Sequence, residues 1–272
     1  MKYFYEQISK KDGVILRGVV NTPDDFDENT KYPTVIMYHG FGGNRDGRTW
    51  MRIQNAKHLT DRGYVVVRFD FSGTNESDGS FYDMTVTREL YEANMIYDFT
   101  RTRSYVKNDS IYLIGHSLGG VISTLIGSKI NPRAIALLAP ASDMNNIDYL
   151  KVAAKIRVED DYGSLSDIDV IKKIKDLEDF DIGGEKLHRR FWIDFLRYDI
   201  YGAAEKYKGN VLILRGSEDE LVFKDSNEKL NNSFAHSKYE EIEGADHSFT
   251  NYDHRQIIFE KMYEFFEENK QN

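Results

Sequence analysis

The chain has 272 residues, of which 40% are hydrophobic and 30% are charged, and its formal net charge is −9. This length can bury one sizeable core, and the acidic balance argues against a nucleic-acid or anionic-membrane partner. The absence of cysteine excludes disulfides, thiolate metal sites and a cysteine nucleophile. The polar N-terminus does not resemble a signal peptide, and no apolar stretch reaches the roughly 18 residues of a membrane span, so we expect a cytoplasmic protein.

Apolar runs in the first half of the chain alternate between the strand period and the helix period. Two runs at 3–9 and 13–20, separated by Lys-Lys-Asp-Gly, predict a β-hairpin. The elements predicted after it are a strand at 34–38, a helix at about 49–62 that ends at Gly63, a strand at 64–69, a helix at 85–103, a strand at 111–114 followed by a helix, and a strand at 133–139.

The stretch 140–205 interrupts this alternation, because it is rich in Asp and Lys and has only helical or irregular signals. Strands at 211–214 and 238–242 and an amphipathic helix at 253–268 then resume it. Alternating strands and helices predict an α/β fold with a doubly wound, mostly parallel sheet. We expect one domain over 1–272, with 140–205 as a cap insertion at the carboxyl edge of the sheet, where α/β proteins bind ligands.

The segment G-H-S-L-G-G at 115–120 lies between a predicted strand and a predicted helix. A strand, a sharp turn that holds a serine, and a helix form a nucleophile elbow, which exposes the serine hydroxyl above the sheet. Gly115 and Gly119 flank Ser117 because larger side chains would collide with the neighbouring strand and helix. Ser117 is therefore the candidate nucleophile.

A serine hydroxyl needs a base to remove its proton and a carboxylate to orient that base. After such an elbow the expected chain order is serine, acid, histidine. Asp219 follows the strand at 211–214, and His247 follows the strand at 238–242, so each lies just past the carboxyl end of a strand. For His39 and His116 we expect structural roles instead, in the loop after strand 34–38 and in the elbow.

The tetrahedral intermediate of acyl transfer also needs hydrogen-bond donors for its oxyanion. The backbone N–H of Leu118, at the start of the helix, is one candidate. The second candidate is the N–H of Phe41, within H-G-F-G-G-N at 39–44. The alternative is an ordinary glycine-rich turn; a phosphate-binding loop is disfavoured because neither G-x-G-x-x-G nor a Walker lysine is present.

These motifs, in this order, resemble those of the α/β-hydrolases, and most of all the small bacterial cinnamoyl or feruloyl esterases. The resemblance implies Ser117 as nucleophile, His247 as base, Asp219 as orienting acid, and the Phe41 and Leu118 amides as oxyanion hole. It also implies that 140–205 forms the acyl pocket, and that the protein is a homodimer. Where relatives often have His-Gly before the acid, this chain has Arg215-Gly216.

In those esterases a polar cap residue receives the phenolic hydroxyl of the substrate. The candidates in this chain are Asp143, Asp148 and Tyr162. Trp192 could stack on an aromatic acyl group, or it could pack the cap onto the domain.

The predicted function is a serine carboxylesterase that hydrolyses hydroxycinnamoyl esters and needs no metal or organic cofactor. One alternative keeps the same three residues but acts on aliphatic esters or monoacylglycerols. A more remote alternative is a non-catalytic, ligand-binding protein on the same fold.

Overall fold

The computed structural model describes residues 1–144, 178–181 and 184–270. Its strands are β1 (Lys2–Ser9), β2 (Ile15–Thr22), β3 (Tyr32–Tyr38), β4 (Val65–Phe69), β5 (Val106–His116), β6 (Ala134–Leu138), β7 (Asp179–Asp181), β8 (Lys186–His188), β9 (Asn210–Gly216) and β10 (Ser237–Ile242). Its α-helices are α1 (Met51–Thr60), α2 (Val86–Arg101), α3 (Leu118–Ile130), α4 (Arg190–Phe195), α5 (Ile200–Lys206), α6 (Lys224–Ser233) and α7 (Tyr252–Glu268).

Eight of these strands form one sheet in the order β1-β2-β4-β3-β5-β6-β9-β10. The β1–β2 hairpin is antiparallel, and β2 also pairs antiparallel with β4. All pairs from β4 to β10 are parallel. This confirms the predicted α/β fold with a mostly parallel sheet. The parallel strands bring their carboxyl ends to one edge, and the loops at that edge carry the candidate site residues.

Helices cover both faces of the sheet, because its central strands are apolar at successive positions and their side chains alternate between the faces. In β3, Val35 and Met37 pack in the core beneath α1 and α7. Ile36 and Tyr38 pack in the opposite core, which is shared with α2, α3 and α5. All four of these side chains are at most 2% exposed. None of the helices within the described ranges is long and apolar enough to span a membrane.

The region 140–205 differs from the expectation of purely helical or irregular structure. Its described part contains a small antiparallel hairpin of β7 and β8 as well as α4 and α5. Each strand has only three residues, which is too short for a period-2 pattern to appear in the sequence. α5 packs against α3, and the Tyr207 hydroxyl after it donates to the Pro132 carbonyl at 2.8 Å.

Candidate active site

Ser117 lies between β5 and α3 in a strained backbone conformation. Its φ of 55° and ψ of −119° place it at positive φ, which is uncommon for any residue other than glycine. The turn leaves no room for side chains at its glycines. A Cβ on Gly115 would lie 2.3 Å from the Gly119 carbonyl oxygen, and one on Gly119 would lie 2.3 Å from that of Tyr38. The turn thus has the close packing of a nucleophile elbow.

Asp219 and His247 come together above the neighbouring strands β9 and β10. The His247 Nδ1 is 2.8 Å from Asp219 Oδ2. The other carboxylate oxygen accepts the Leu221 and Val222 N–H groups at 2.8 and 2.9 Å. A carboxylate held in this way keeps the proton of neutral His247 on Nδ1, which leaves a lone pair on Nε2.

Asp246, which precedes His247, has different partners. Its carboxylate accepts the backbone N–H of Thr250 at 2.8 Å and also the Thr250 hydroxyl. Of these two acids, Asp219 is the one that orients the histidine ring.

The loop of His247 is bonded to the residue that precedes Ser117. His116 Nε2 lies 2.9 Å from the His247 carbonyl oxygen, and the two imidazole rings are 5.1 Å apart. On its other side, His116 Nδ1 accepts from the Arg52 guanidinium at 3.3 Å. Since guanidinium can only donate, the His116 proton resides on Nε2, where it is donated to the His247 carbonyl.

Burial keeps His116 neutral, and the nearby His247 and Arg52 reinforce the effect: together they hold its pKa well below 6.5. Arg52 is buried as well and donates to the Asn44 carbonyl at 3.0 Å. One arginine on α1 therefore connects the loop after β3 with the end of β5.

His39 holds the glycine-rich loop after β3. Its Nδ1 donates to the Gly40 carbonyl at 2.9 Å, and its Nε2 accepts the Phe71 N–H at 3.1 Å. Burial lowers the pKa of His39 to about 3, so the ring is neutral in the folded protein. The structure therefore assigns His39 to loop geometry, since both ring nitrogens are engaged by backbone groups.

The loop held by His39 lies directly against Ser117. A Cβ added to Gly40 would approach the Ser117 Cβ to 3.0 Å and its Oγ to 3.6 Å. Among the described residues, neither the Phe41 N–H nor the Leu118 N–H donates to a protein acceptor. This is the condition that an oxyanion hole requires, and the role of the two amides stays a prediction.

Aromatic side chains surround this loop. The Phe41 ring lies 5.6 Å from Phe81 and 5.1 Å from Phe191 on α4. Trp192 packs edge-on against Phe191 at 5.0 Å and is only 9% exposed. Trp192 thus belongs to the core shared with α2 and α3, and its stacking on an aromatic acyl group stays a prediction.

Of the residues predicted to receive a phenolic hydroxyl, Asp143 follows the carboxyl end of β6, and its carboxylate accepts the Tyr201 phenol. Asp148 and Tyr162 lie outside the described residues. Within the described ranges, no three histidine, aspartate or glutamate side chains are grouped so that they could hold a metal ion.

Sequence reasoning missed the arginines that hold the site loops. Arg215 donates to the Asp219 carbonyl at 2.8 Å and the Val222 carbonyl at 3.0 Å, so it fixes the loop of the acid. Arg255 donates to the Phe249 carbonyl at 2.7 Å and the Thr49 carbonyl at 2.9 Å. The only signal for Arg215 was its position where relatives often have histidine.

The depressed pKa of His39 predicts a pH-dependent contribution to stability. As the pH falls from about 6.5 towards 3, His39 is protonated in the unfolded chain but not in the folded one, so stability is lost. Between about pH 7 and pH 5 this loss amounts to about 2 kcal/mol. Glutamine does not titrate, so the stability deficit of His39→Gln relative to the unmodified protein should shrink by that amount over the same range.

Urea unfolding of both proteins at the two pH values measures this difference directly. All other titrating groups are common to the two chains and cancel. A stability deficit that stays constant with pH would show that His39 is not buried in its neutral form.

The bond from His116 to the His247 carbonyl predicts an effect on Ser117 reactivity. His116→Phe removes this donor, so the rate at which a fluorophosphonate modifies Ser117 should fall by about 10-fold or more, as expected for the loss of a buried hydrogen bond. In His116→Gln an amide can both donate and accept, so this variant should recover much of the rate. Unfolding free energies of both variants separate lost reactivity from lost folding. Equal labelling of His116→Phe and the unmodified protein would rule out this positioning role.

Comparison with known proteins finds relatives of several kinds. Over 99 residues the chain is 36% identical to lysophosphatidylserine lipase ABHD12 of Xenopus tropicalis, a match that covers 36% of this chain and 24% of that protein. Over 140 residues it is 28% identical to dipeptidyl-peptidase 5 of Porphyromonas gingivalis, a match that covers 49% of this chain and 20% of that protein. The chain therefore spans about a quarter or less of the length of these curated relatives.

Among solved structures, Est1E from Butyrivibrio proteoclasticus with bound ferulic acid superposes with a TM-score of 0.78 at 23% identity, covering 98% of each chain. At this identity the likeness shows the fold, and it confirms the predicted α/β-hydrolase architecture. The Hydrolase_4 family, described as "Serine aminopeptidase, S33", matches residues 31–253, well over half of the chain, and the chain therefore belongs to this family.

Proposed function

We propose that this chain is a serine carboxylesterase in which Ser117, His247 and Asp219 act as nucleophile, base and orienting acid. The observation that carries the proposal is the 2.8 Å contact between His247 Nδ1 and Asp219 Oδ2. The backbone carbonyl of His247 is in turn 2.9 Å from His116 Nε2, and His116 directly precedes Ser117 in its strained elbow. Such a turn exposes a serine to substrate. The oriented imidazole supplies the base that the hydroxyl lacks by itself.

The proposed reaction proceeds through an acyl-enzyme. His247 Nε2 removes the proton of Ser117 as its Oγ attacks the ester carbonyl, and the N–H groups of Phe41 and Leu118 stabilise the oxyanion. The same imidazolium then protonates the leaving alcohol, and a water activated by His247 hydrolyses the acyl-enzyme. Loss of a single oxyanion donor in such sites costs about 10²–10³ in kcat.

We further propose a hydroxycinnamoyl acyl group. Two features support this choice: the aromatic rings of Phe41, Phe81 and Phe191 beside the oxyanion loop, and Asp143, whose carboxylate already accepts one phenol within the protein. Est1E, which shares the fold, binds ferulic acid.

An aliphatic ester substrate is the second candidate. The observation that favours it is the sequence similarity to a lysophosphatidylserine lipase over 99 residues. The family description also makes an amide substrate worth measuring. All three substrate classes use the same proposed nucleophile, so the acyl group and the leaving group decide between them.

Substrate preference tests the proposed acyl group. We expect kcat/KM for methyl ferulate to exceed that for methyl butyrate, which has the same leaving group, and that for an aminoacyl p-nitroanilide. Ser117→Ala should lose several orders of magnitude in kcat. The matched control Ser123→Ala, which removes a hydroxyl bonded to the Gly119 carbonyl at 2.8 Å, should remain active.

A higher kcat/KM for the butyrate ester would support a serine esterase but would assign it an aliphatic acyl substrate. If no ester is cleaved and fluorophosphonate does not label Ser117, the protein is a non-catalytic ligand-binding protein.

The role of Asp143 is tested by removing its charge. If Asp143 accepts the phenolic hydroxyl of the substrate, Asp143→Asn should lower kcat/KM for methyl ferulate by about 10-fold, as expected for loss of a hydrogen bond to a charged group. The kcat/KM for methyl cinnamate, which lacks that hydroxyl, should change by less than about two-fold. Tyr201→Phe removes the phenol that the Asp143 carboxylate accepts, so it should not lower kcat/KM for methyl ferulate. A uniform loss on both esters would assign Asp143 to structure alone.

A further inference from the structure

The two lateral edges of the main sheet are chemically different. At the β10 edge, ion pairs join Lys238 and Lys261 to Glu240, and Lys224 to Glu241, each at 2.6 Å. Charged side chains on an edge strand are a common means by which proteins prevent pairing with another chain. The β10 edge is therefore protected.

The β1 edge has the opposite character. Three consecutive aromatic residues on it face solvent: Tyr3 is 56% exposed, Phe4 is 43% exposed and Tyr5 is 72% exposed. Within the described part of the chain, β1 pairs only with β2, so its outer row of backbone N–H and C=O groups has no strand partner there. β1 contains no proline, which would block pairing.

This edge is also held firmly in place. The pairing of β1 with β2 is continuous over all eight residues of the strand, from Lys2 to Ser9. At its end, the Lys10 ammonium forms a buried ion pair with Glu92 of α2 at 2.8 Å. An ordered, aromatic edge with no strand partner is the kind of surface that pairs with another strand.

We propose that β1 pairs antiparallel with β1 of a second copy of this chain, with Phe4 on the two-fold axis. In this register Lys2 of one copy faces Glu6 of the other, twice, and Tyr3 faces Tyr5, twice. Lys2, Phe4 and Glu6 share one face of the strand, and the tyrosines share the other face. Any other antiparallel register removes the Lys2–Glu6 pairing, so the sequence of the edge is self-complementary in one alignment.

The resulting dimer has a continuous sheet with eight strands from each copy. Its interface is isologous, as in most homodimers, because the same patch contributes from both sides. Opposite charges or aromatic rings that lie directly across from each other stabilise an antiparallel pair, whereas like charges in the same positions destabilise it.

A charge swap tests both the edge and the register. Sedimentation velocity over a concentration series at about 50 mM salt, where screening is modest, should show a dimer of the unmodified protein. Lys2→Glu and Glu6→Lys each place like charges opposite one another twice, so each should raise the dimer dissociation constant by about 10-fold or more. The double variant restores opposite charges and should dimerise again. The matched control is Lys11→Glu, which makes the same charge change in the turn after β1 and should leave the dimer unchanged.

Mixing the two single variants gives the most discriminating test. One chain then presents two acidic positions and the other two basic positions, so a heterodimer should form from proteins that are each weakened alone. A monomer at every concentration, or a dimer that Lys2→Glu leaves unchanged, would overturn the proposal. All substituted side chains lie outside the candidate active site, so ester turnover provides an independent check of folding.

Discussion

The positive-φ backbone of Ser117 is the constraint on which the rest of the site depends. Such a conformation costs about 1–3 kcal/mol, and it persists because neighbouring strands hold the turn. The Ser117 N–H donates to the Leu138 carbonyl of β6 at 2.9 Å, and its carbonyl accepts the Ala141 N–H at 3.2 Å. Gly40, from the loop after β3, lies against its side chain. The elbow therefore forms only where β3, β5 and β6 are paired, so the position of the Ser117 hydroxyl is a property of the assembled sheet.

Histidine serves two purposes at this edge of the sheet. His39 and His116 are buried and hold their protons at fixed nitrogens, because backbone groups or a guanidinium occupy the other side of each ring. Each acts as a rigid link between loops that are distant in the sequence. His247 instead has one nitrogen on a carboxylate, which leaves the second available to a substrate. What distinguishes a structural histidine from a candidate base here is whether both nitrogens are already engaged within the protein.

Much of this arrangement could be predicted from the sequence because it has a local signature. Alternating apolar runs predict the α/β fold, and the glycine spacing around Ser117 marks the elbow. Chain order was enough to select Asp219 and His247, which do lie in contact. The contributions of Arg52, Arg215 and Arg255 could not be predicted, because a long side chain that reaches a distant carbonyl leaves no periodicity or motif. The hairpin of β7 and β8 was missed for a related reason, since three residues are too few to show a period.

The topology separates the proposed active site from the proposed dimer edge. Ser117, Asp219 and His247 follow β5, β9 and β10 at the carboxyl edge, whereas the aromatic edge runs along β1. Three strands, β2, β4 and β3, lie between β1 and β5, which at about 4.8 Å per strand puts roughly 19 Å between them. Pairing through β1 therefore needs no residue of the site. A dimer formed there would add to stability by mass action, whereas the proposed acyl pocket lies among the loops and α4 at the carboxyl edge of the sheet. Selection can thus change the substrate and the oligomeric state of such a chain independently of each other.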